Sequence, residues 1–244
     1  IGMAMFGAII FIPLFLQIVY SVSPTGSGLW TLPLIVGLLI AAIGSGRAIS
    51  RIGRYRAFPI SGTAILIVGM YLLSRLDPST ALWQASLYMF VVGIGIGLVM
   101  QVLILVVQND ARPDQIGVVT STATFFRSFG GSFGVAIFGA IFTTRLSGQL
   151  AGLPPAVLAR LGSGIHLNPA QAQRLPPHVH ELFVGAFARA LHGVFLWGVA
   201  LAAIPFLFSW FLKEVPLRTT LGTRTGPPPP VDPAAASTTA GATR

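Results

Sequence analysis

Cysteine is absent from the 244 residues, acidic side chains number only six, and a single lysine accompanies fourteen arginines. The missing cysteine excludes disulfides and cysteine-based metal sites and leaves the redox compartment open. The shortage of charge excludes an ordinary hydrated surface: charged residues make up 9% of the chain, against about 25% in a soluble domain. No HExxH pattern occurs, and the glycines Gly93, Gly95 and Gly97 lack the preceding strand that a nucleotide loop needs. Neither a nucleophile–base pair nor a metal set falls inside the apolar runs, so an intramembrane enzyme is not expected and no metal site is assigned.

What is present is mostly oil. Hydrophobic residues make up 54% and the net charge is +9. Readers of nucleic acid carry Lys, Arg and aromatics on a hydrated face; here the arginines cluster between apolar runs. The expected partner is therefore a lipid bilayer and not nucleic acid. The preference for Arg over Lys, with much Ala, Gly and Pro, points to a GC-rich bacterial genome. Ile1 sits in an apolar run without the basic flank and cleavage site of a signal peptide. The expectation is a piece that starts partway along a membrane helix.

A span needs about 20 mostly apolar residues to cross a core about 30 Å thick. Six segments qualify: 1–20, 29–48, 57–75, 82–107, 117–143 and 186–212. The fold class expected is an all-α polytopic membrane protein of six transmembrane helices. Lys and Arg accumulate in short cytoplasmic loops, and GRAISRIGRYR after the second span holds Arg47, Arg51, Arg54 and Arg56. That loop is expected inside, YSVSPTGSG (20–28) outside, and the tail from Lys213 inside. The proline-rich stretch 145–185 is expected as an external loop, with a short helix near 155–161. Residues 220–244 read as a disordered low-complexity tail.

The fifth span contains FFRSFGGSFGVAIFG, with Arg127 alone among apolar and small residues. At 3.6 residues per turn, Thr120, Ala123, Thr124, Arg127, Gly130, Gly131 and Gly134 share one side. Phe125, Phe126, Phe129 and Phe133 take the other. Small residues let membrane helices approach closely, so the arginine is expected to face protein or a water-filled cavity. From Gly117 to Arg127 is ten residues, ~15 Å of helix and near mid-membrane. Arginine there costs ~2.5 kcal/mol or more. Two readings are open: a brace on backbone carbonyls, or a charge in a transport path. No acidic residue lies within the six spans, so an ionic partner belongs to another part of the protein or to the cargo.

Ser86, Gly93, Gly97, Gln101 and Gln108 form a second stripe on the fourth span. Gly93 and Gly97 read as helix-packing positions, as do Gly130, Gly131 and Gly134. Gln101 and Met100 are candidates for lining a cavity, with interhelical hydrogen bonding an equal alternative for Gln101. Gln17 and Trp30 are further candidates, although Trp30 also suits an interfacial anchor. His178 and His180, beside Glu181, read as solvated loop residues; a titrating role for His192 near the outer face is the less favoured of its readings.

GRAISRIGRYR resembles the cytoplasmic motif G-x-x-x-D-R-x-G-R-[RK] of major facilitator superfamily transporters. Gly46, Arg51, Gly53 and Arg54 match it, with Arg47 alongside, and Ser50 stands where the family has Asp. PLFLQIVYSVSPTGSGLWTLP, TSTATFFRSFGGSFGVAIFGAIF and LKEVPLRT are similar to stretches of the 14-span drug:proton antiporter family (QacA/EmrB type). The resemblance implies spans nine to fourteen, the C-terminal half built of 3+3 inverted repeats, with the N-terminal half and its coupling carboxylates missing. It implies proton-driven efflux of drugs or metabolites, with protons and a small molecule as partners, a proton gradient as energy source and no cofactor. The first and fourth spans would line the cavity, the second and fifth face the other bundle, and the third and sixth lie outside. The alternative is a truncated half without transport of its own.

Overall fold

The computed structural model describes residues 1–152, 172–173 and 175–212. Among these residues six long helices follow one another: α1 (Gly2–Val19), α2 (Pro24–Ile52), α3 (Ala57–Ser74), α4 (Leu82–Asp110), α5 (Ile116–Ala151) and α6 (Pro177–Ser209). Each is long and apolar enough to cross a membrane, and no strand occurs among the described residues. The chain is an all-α, multi-pass membrane bundle. Inside lipid a backbone can satisfy its polar groups only within its own helix, and sequences this apolar leave it no other choice.

Four boundaries differ from the hydropathy reading. Helix α2 starts at Pro24 and not at 29, because the Ser23 hydroxyl accepts a bond from the Gly26 amide at 3.1 Å and proline takes the first helical position. It ends at Ile52 and not at 48. The segment 46–52 is therefore helix and not loop: the Ser50 hydroxyl donates to the Gly46 carbonyl at 2.9 Å, Arg51 sits in the last turn, and Gly53 stops the helix at φ 72°. A cation in the last turn suits the negative helix end, and φ in the left-handed region suits glycine. Helix α5 runs on to Ala151, and α6 starts at Pro177, nine residues before the expected edge at 186. The supposed loop 145–185 is thus helical at both ends. Hydropathy marks where a helix leaves lipid, whereas the helix itself continues as long as neighbours support it. The short helix expected at 155–161 and the tail 220–244 lie outside the described residues.

Helix ends alternate, so Arg47, Arg51, Arg54, Arg56 and Arg112 all fall at one end of the bundle, called here the arginine end. Arg56 ties that end by donating to the carbonyl of Trp210, the residue that follows α6, at 2.7 Å. Tyr55, unnoticed in the sequence, is 1% exposed there and shares a small core with Ile49 and Val102.

Packing divides the helices into two triplets joined along α3 and α6. In one, α2 lies on α4 and α4 on α3; in the other, α1 lies against α5 and α6. The first triplet depends on close approach. A Cβ at Gly93 would strike the Leu34 carbonyl of α2, and one at Gly97 would come within 2.9 Å of the Ala41 Cβ. The main core holds Phe11, Phe15, Phe138, Phe183, Phe187 and Phe195. Helices α2 and α5 turn large apolar side chains outward, among them Leu39, Ile40, Phe125, Phe126, Phe129 and Phe133.

At the opposite end the Tyr20 hydroxyl donates to the Thr80 carbonyl at 2.7 Å. Burial first, and then the nearby Asp77 carboxylate, push this phenol up to about 12. His192 of α6 contacts the Ser74 carbonyl at the last residue of α3, which marks the level at which α3 ends. The fifteen residues of α6 before His192 therefore extend ~22 Å past it.

Candidate substrate cavity

The side of α5 that carries Arg127 is built from small residues, and α1 closes on it. A Cβ at Gly134 would lie 2.6 Å from the Met3 Cα, and one at Gly131 would run into the Phe6 ring. A Cβ at Gly2 would meet the Arg127 carbonyl itself. Gly130 is different: its nearest neighbour is Met3 at 3.9 Å, an ordinary contact. Beside it a space of about 390 Å³ lies between α4, α5 and the first residues of α1, with Ile1, Gly2 and Met3 at its edge.

Its walls are apolar. Met100, Leu103, Ile104 and Val107 come from α4, Met3 from α1 and Phe126 from α5. Only Thr124 and Arg127 bring polar side chains to it. Arg127 is half-buried and sits eleven residues after Ile116, ~17 Å along the helix. Among the described residues no hydrogen bond or ion pair involves its guanidinium. The described carboxylates are at helix ends or in turns: Asp77 and Glu181 at the opposite end, Asp110 at the end of α4, and Asp114 paired with Arg112 at 3.3 Å.

Of the five sequence candidates, the structure brings together two, Arg127 and Met100. Gln101 does not border this space and is exposed. Gln17 is fifteen residues beyond Gly2 on α1 and donates to the Ser27 hydroxyl of α2 at 2.9 Å. Trp30 is exposed on α2. Gln108, noted only as part of a stripe, donates to Thr120 at 3.1 Å and joins α4 to α5 at the arginine end. The residues here that sequence reasoning missed are Leu103, Ile104, Val107, Ile1, Gly2 and Met3, and Phe126, expected on the side away from Arg127, borders the same space. The first three follow Met100 at helical spacing, which was the available signal.

A second, larger space of about 870 Å³ opens at the far end between the α3–α4 turn and α6. Arg75, Asp77, His180, Glu181, Arg189 and His192 border it. His178 and His180 therefore belong to the first turn of α6, not to a loop, and His192 lies well inside that helix. Among the described residues no three His, Asp or Glu side chains gather closely enough to hold a metal ion.

A bundle of membrane-crossing helices with an ionisable residue deep in one of them is consistent with a membrane transporter. The model of the Major Facilitator Superfamily matches residues 1–135, more than half of the chain, and the chain belongs to that superfamily. It is 42% identical over 222 residues to an MFS-type transporter of Mycobacterium tuberculosis, covering 89% of this chain and 31% of that one. It is 32% identical over 241 residues to the multidrug transporter protein MdtP of Bacillus subtilis, covering 88% and 44%. A tetracycline resistance determinant of Streptomyces rimosus is 27% identical over 267 residues, covering 95% and 77%. The chain thus spans less than a third of the mycobacterial relative and less than half of MdtP.

Proposed function

We propose that this chain is the C-terminal six-helix bundle of a longer, proton-driven exporter of drugs or other small amphipathic molecules in a bacterial inner membrane. The observation that carries the reading is Arg127, a half-buried guanidinium deep in a membrane-crossing helix of a major-facilitator bundle, with no partner among the described residues. Ionisable groups at that depth default to function. The relatives named for multidrug transport and tetracycline resistance support the cargo class, and their greater length supports a second bundle.

In this reading the arginine end faces the cytoplasm, since Lys and Arg collect there. The outward apolar faces of α2 and α5 meet the second bundle, and the two bundles rock about the cavity. Proton and cargo each bind one state of the rocking pair better and so shift its population. Arg127 favours the charged form of a carboxylate brought opposite it by the second bundle. Motif residues Gly46, Arg47, Arg51, Gly53 and Arg54 act at the cytoplasmic gate.

The test is dye accumulation in inverted vesicles carrying the intact transporter, energised by a proton gradient. Uptake that collapses with an uncoupler is expected. Uptake indifferent to the uncoupler, or equal to that of vesicles lacking the protein, would refute proton-driven export. Arg127→Ala at normal expression should abolish the uncoupler-sensitive part, and unchanged transport would leave the arginine a brace.

A further inference from the structure

Helix α3 has eighteen residues, ~27 Å of helix, which just crosses a hydrocarbon core of about 30 Å. Its two ends therefore mark the two interfaces, and an arginine stands at each: Arg56 before Ala57 and Arg75 after Ser74. His192 contacts the Ser74 carbonyl, so Arg189 and His192, one turn of α6, lie at the same interface as Arg75. Helices α3 and α6 pack on each other. Val68, Tyr71 and Arg75 follow at spacings of three and four on α3, and so do Arg189, His192 and Leu196 on α6. All six are exposed, so each helix carries one outward stripe that passes from apolar to charged at the interface. Trp197 beside Leu196, and Trp83 in the first turn of α4, are exposed as well. Tyr and Trp at this depth suit the headgroup boundary.

We infer that the α3–α6 seam binds one aminophospholipid: its acyl chains lie on the apolar stripes, its phosphate meets Arg75 and Arg189, and its ammonium meets Asp77. The inference needs only a bundle in a bilayer and goes beyond the exporter reading. The three charged residues border one recess. Among the described residues nothing bonds the Arg75 guanidinium. Arg189 spends its Nε on the Gln149 Oε1 at 2.8 Å and keeps its two terminal nitrogens. Guanidinium meets phosphate through two parallel bonds. The Asp77 Oδ1 accepts from the Ser79 amide and hydroxyl, each at 3.1 Å, which leaves Oδ2 for a donor. His180 and Glu181 also border the recess, but they precede His192 by twelve and eleven residues. That places them ~16–18 Å farther out, beyond a headgroup layer ~5–8 Å deep. Phosphatidylglycerol would offer Asp77 no cation, and phosphatidylcholine a cation without an N–H.

Native mass spectrometry of the purified, delipidated intact transporter reads the first lipid bound, with dioleoyl phosphatidylethanolamine, phosphatidylglycerol and phosphatidylcholine as probes. Phosphatidylethanolamine should bind at least about fivefold more tightly than either of the others, the worth of one charge at a membrane surface. Arg75→Gln should weaken it by about the same factor, fivefold, and Arg75→Lys should not. Asp77→Asn, whose side-chain oxygen can still serve Ser79, should erase the preference over phosphatidylcholine; it decides alone should Arg75→Gln not fold. Arg112→Gln, at the other interface, should change nothing. Glycerophosphoethanolamine, the headgroup without chains, should not compete at the lipid's concentration. Equal binding of the three lipids, a loss in Arg112→Gln as large as in Arg75→Gln, an unchanged preference in Asp77→Asn, or competition by the chainless headgroup would each overturn the inference.

Discussion

Gly93→Ala tests whether α2 and α4 are held together by backbone approach. The added Cβ would collide with the Leu34 carbonyl, and the adjoining Leu38 amide nitrogen lies 3.0 Å from the same point. Both obstacles are backbone, so no side-chain rotation relieves them and the helices must separate. Overpacking of this kind costs ~1–3 kcal/mol, and rigid obstacles put it near the upper figure. Alanine's better helix propensity returns ~1 kcal/mol, leaving a loss of ~2 kcal/mol. At ~2–4 °C per kcal/mol for a domain of this size, the melting midpoint in detergent should fall by ~4–8 °C. Gly130→Ala is the internal control. Its Cβ meets only Met3 at 3.9 Å, so propensity acts alone and the midpoint should hold or rise. Circular dichroism of the helical signal on heating measures both. A Gly93→Ala protein that melts with the parent, or a Gly130→Ala protein that falls as far, would refute the close-approach account.

Phe138→Ala empties a fully buried site between α1 and α6 and should cost ~3–5 kcal/mol. Phe129→Ala, at a ring that is half-exposed on α5, should barely move the same melting midpoint. Alkaline titration followed at 295 nm should show a phenol ionising near pH 12, lost in Tyr20→Phe. The folded protein holds this proton more tightly than the unfolded chain, whose phenol ionises near 10. Tyr20 therefore contributes full stability below pH 10, and that contribution declines as pH climbs to about 12. Denaturation midpoints across that window should fall less steeply in Tyr20→Phe than in the parent.

The number and order of the helices were legible because membrane crossing depends on local composition: ~20 apolar residues identify themselves wherever they occur. The face of α5 was legible for the same reason, since helical periodicity places Thr124, Arg127 and Gly134 together without knowledge of any neighbour. Helix ends were less legible. Ser23 and Pro24 carried a start signal that hydropathy passed over, and the polar stretch TTRLSGQL stayed helical because Arg145 packs its side chain onto Gly193 of α6. Gln101 and Met100 stood equal in the sequence. Met100 borders the space beside Arg127 and Gln101 does not, and only the position of α5 separates them.

By itself, then, the sequence determined that this protein lives in a bilayer, that it crosses as helices, and that Arg127 shares a face with glycines and threonines. These are properties of short segments, set by solvation and by the 3.6-residue turn. The tertiary structure decided which helix meets that face, and that no described carboxylate reaches the arginine. Such matters depend on shape fitting between segments more than a hundred residues apart. In lipid, helices associate through close packing and hydrogen bonds, so a missing Cβ at Gly134 or Gly93 directs the assembly as much as any polar group does.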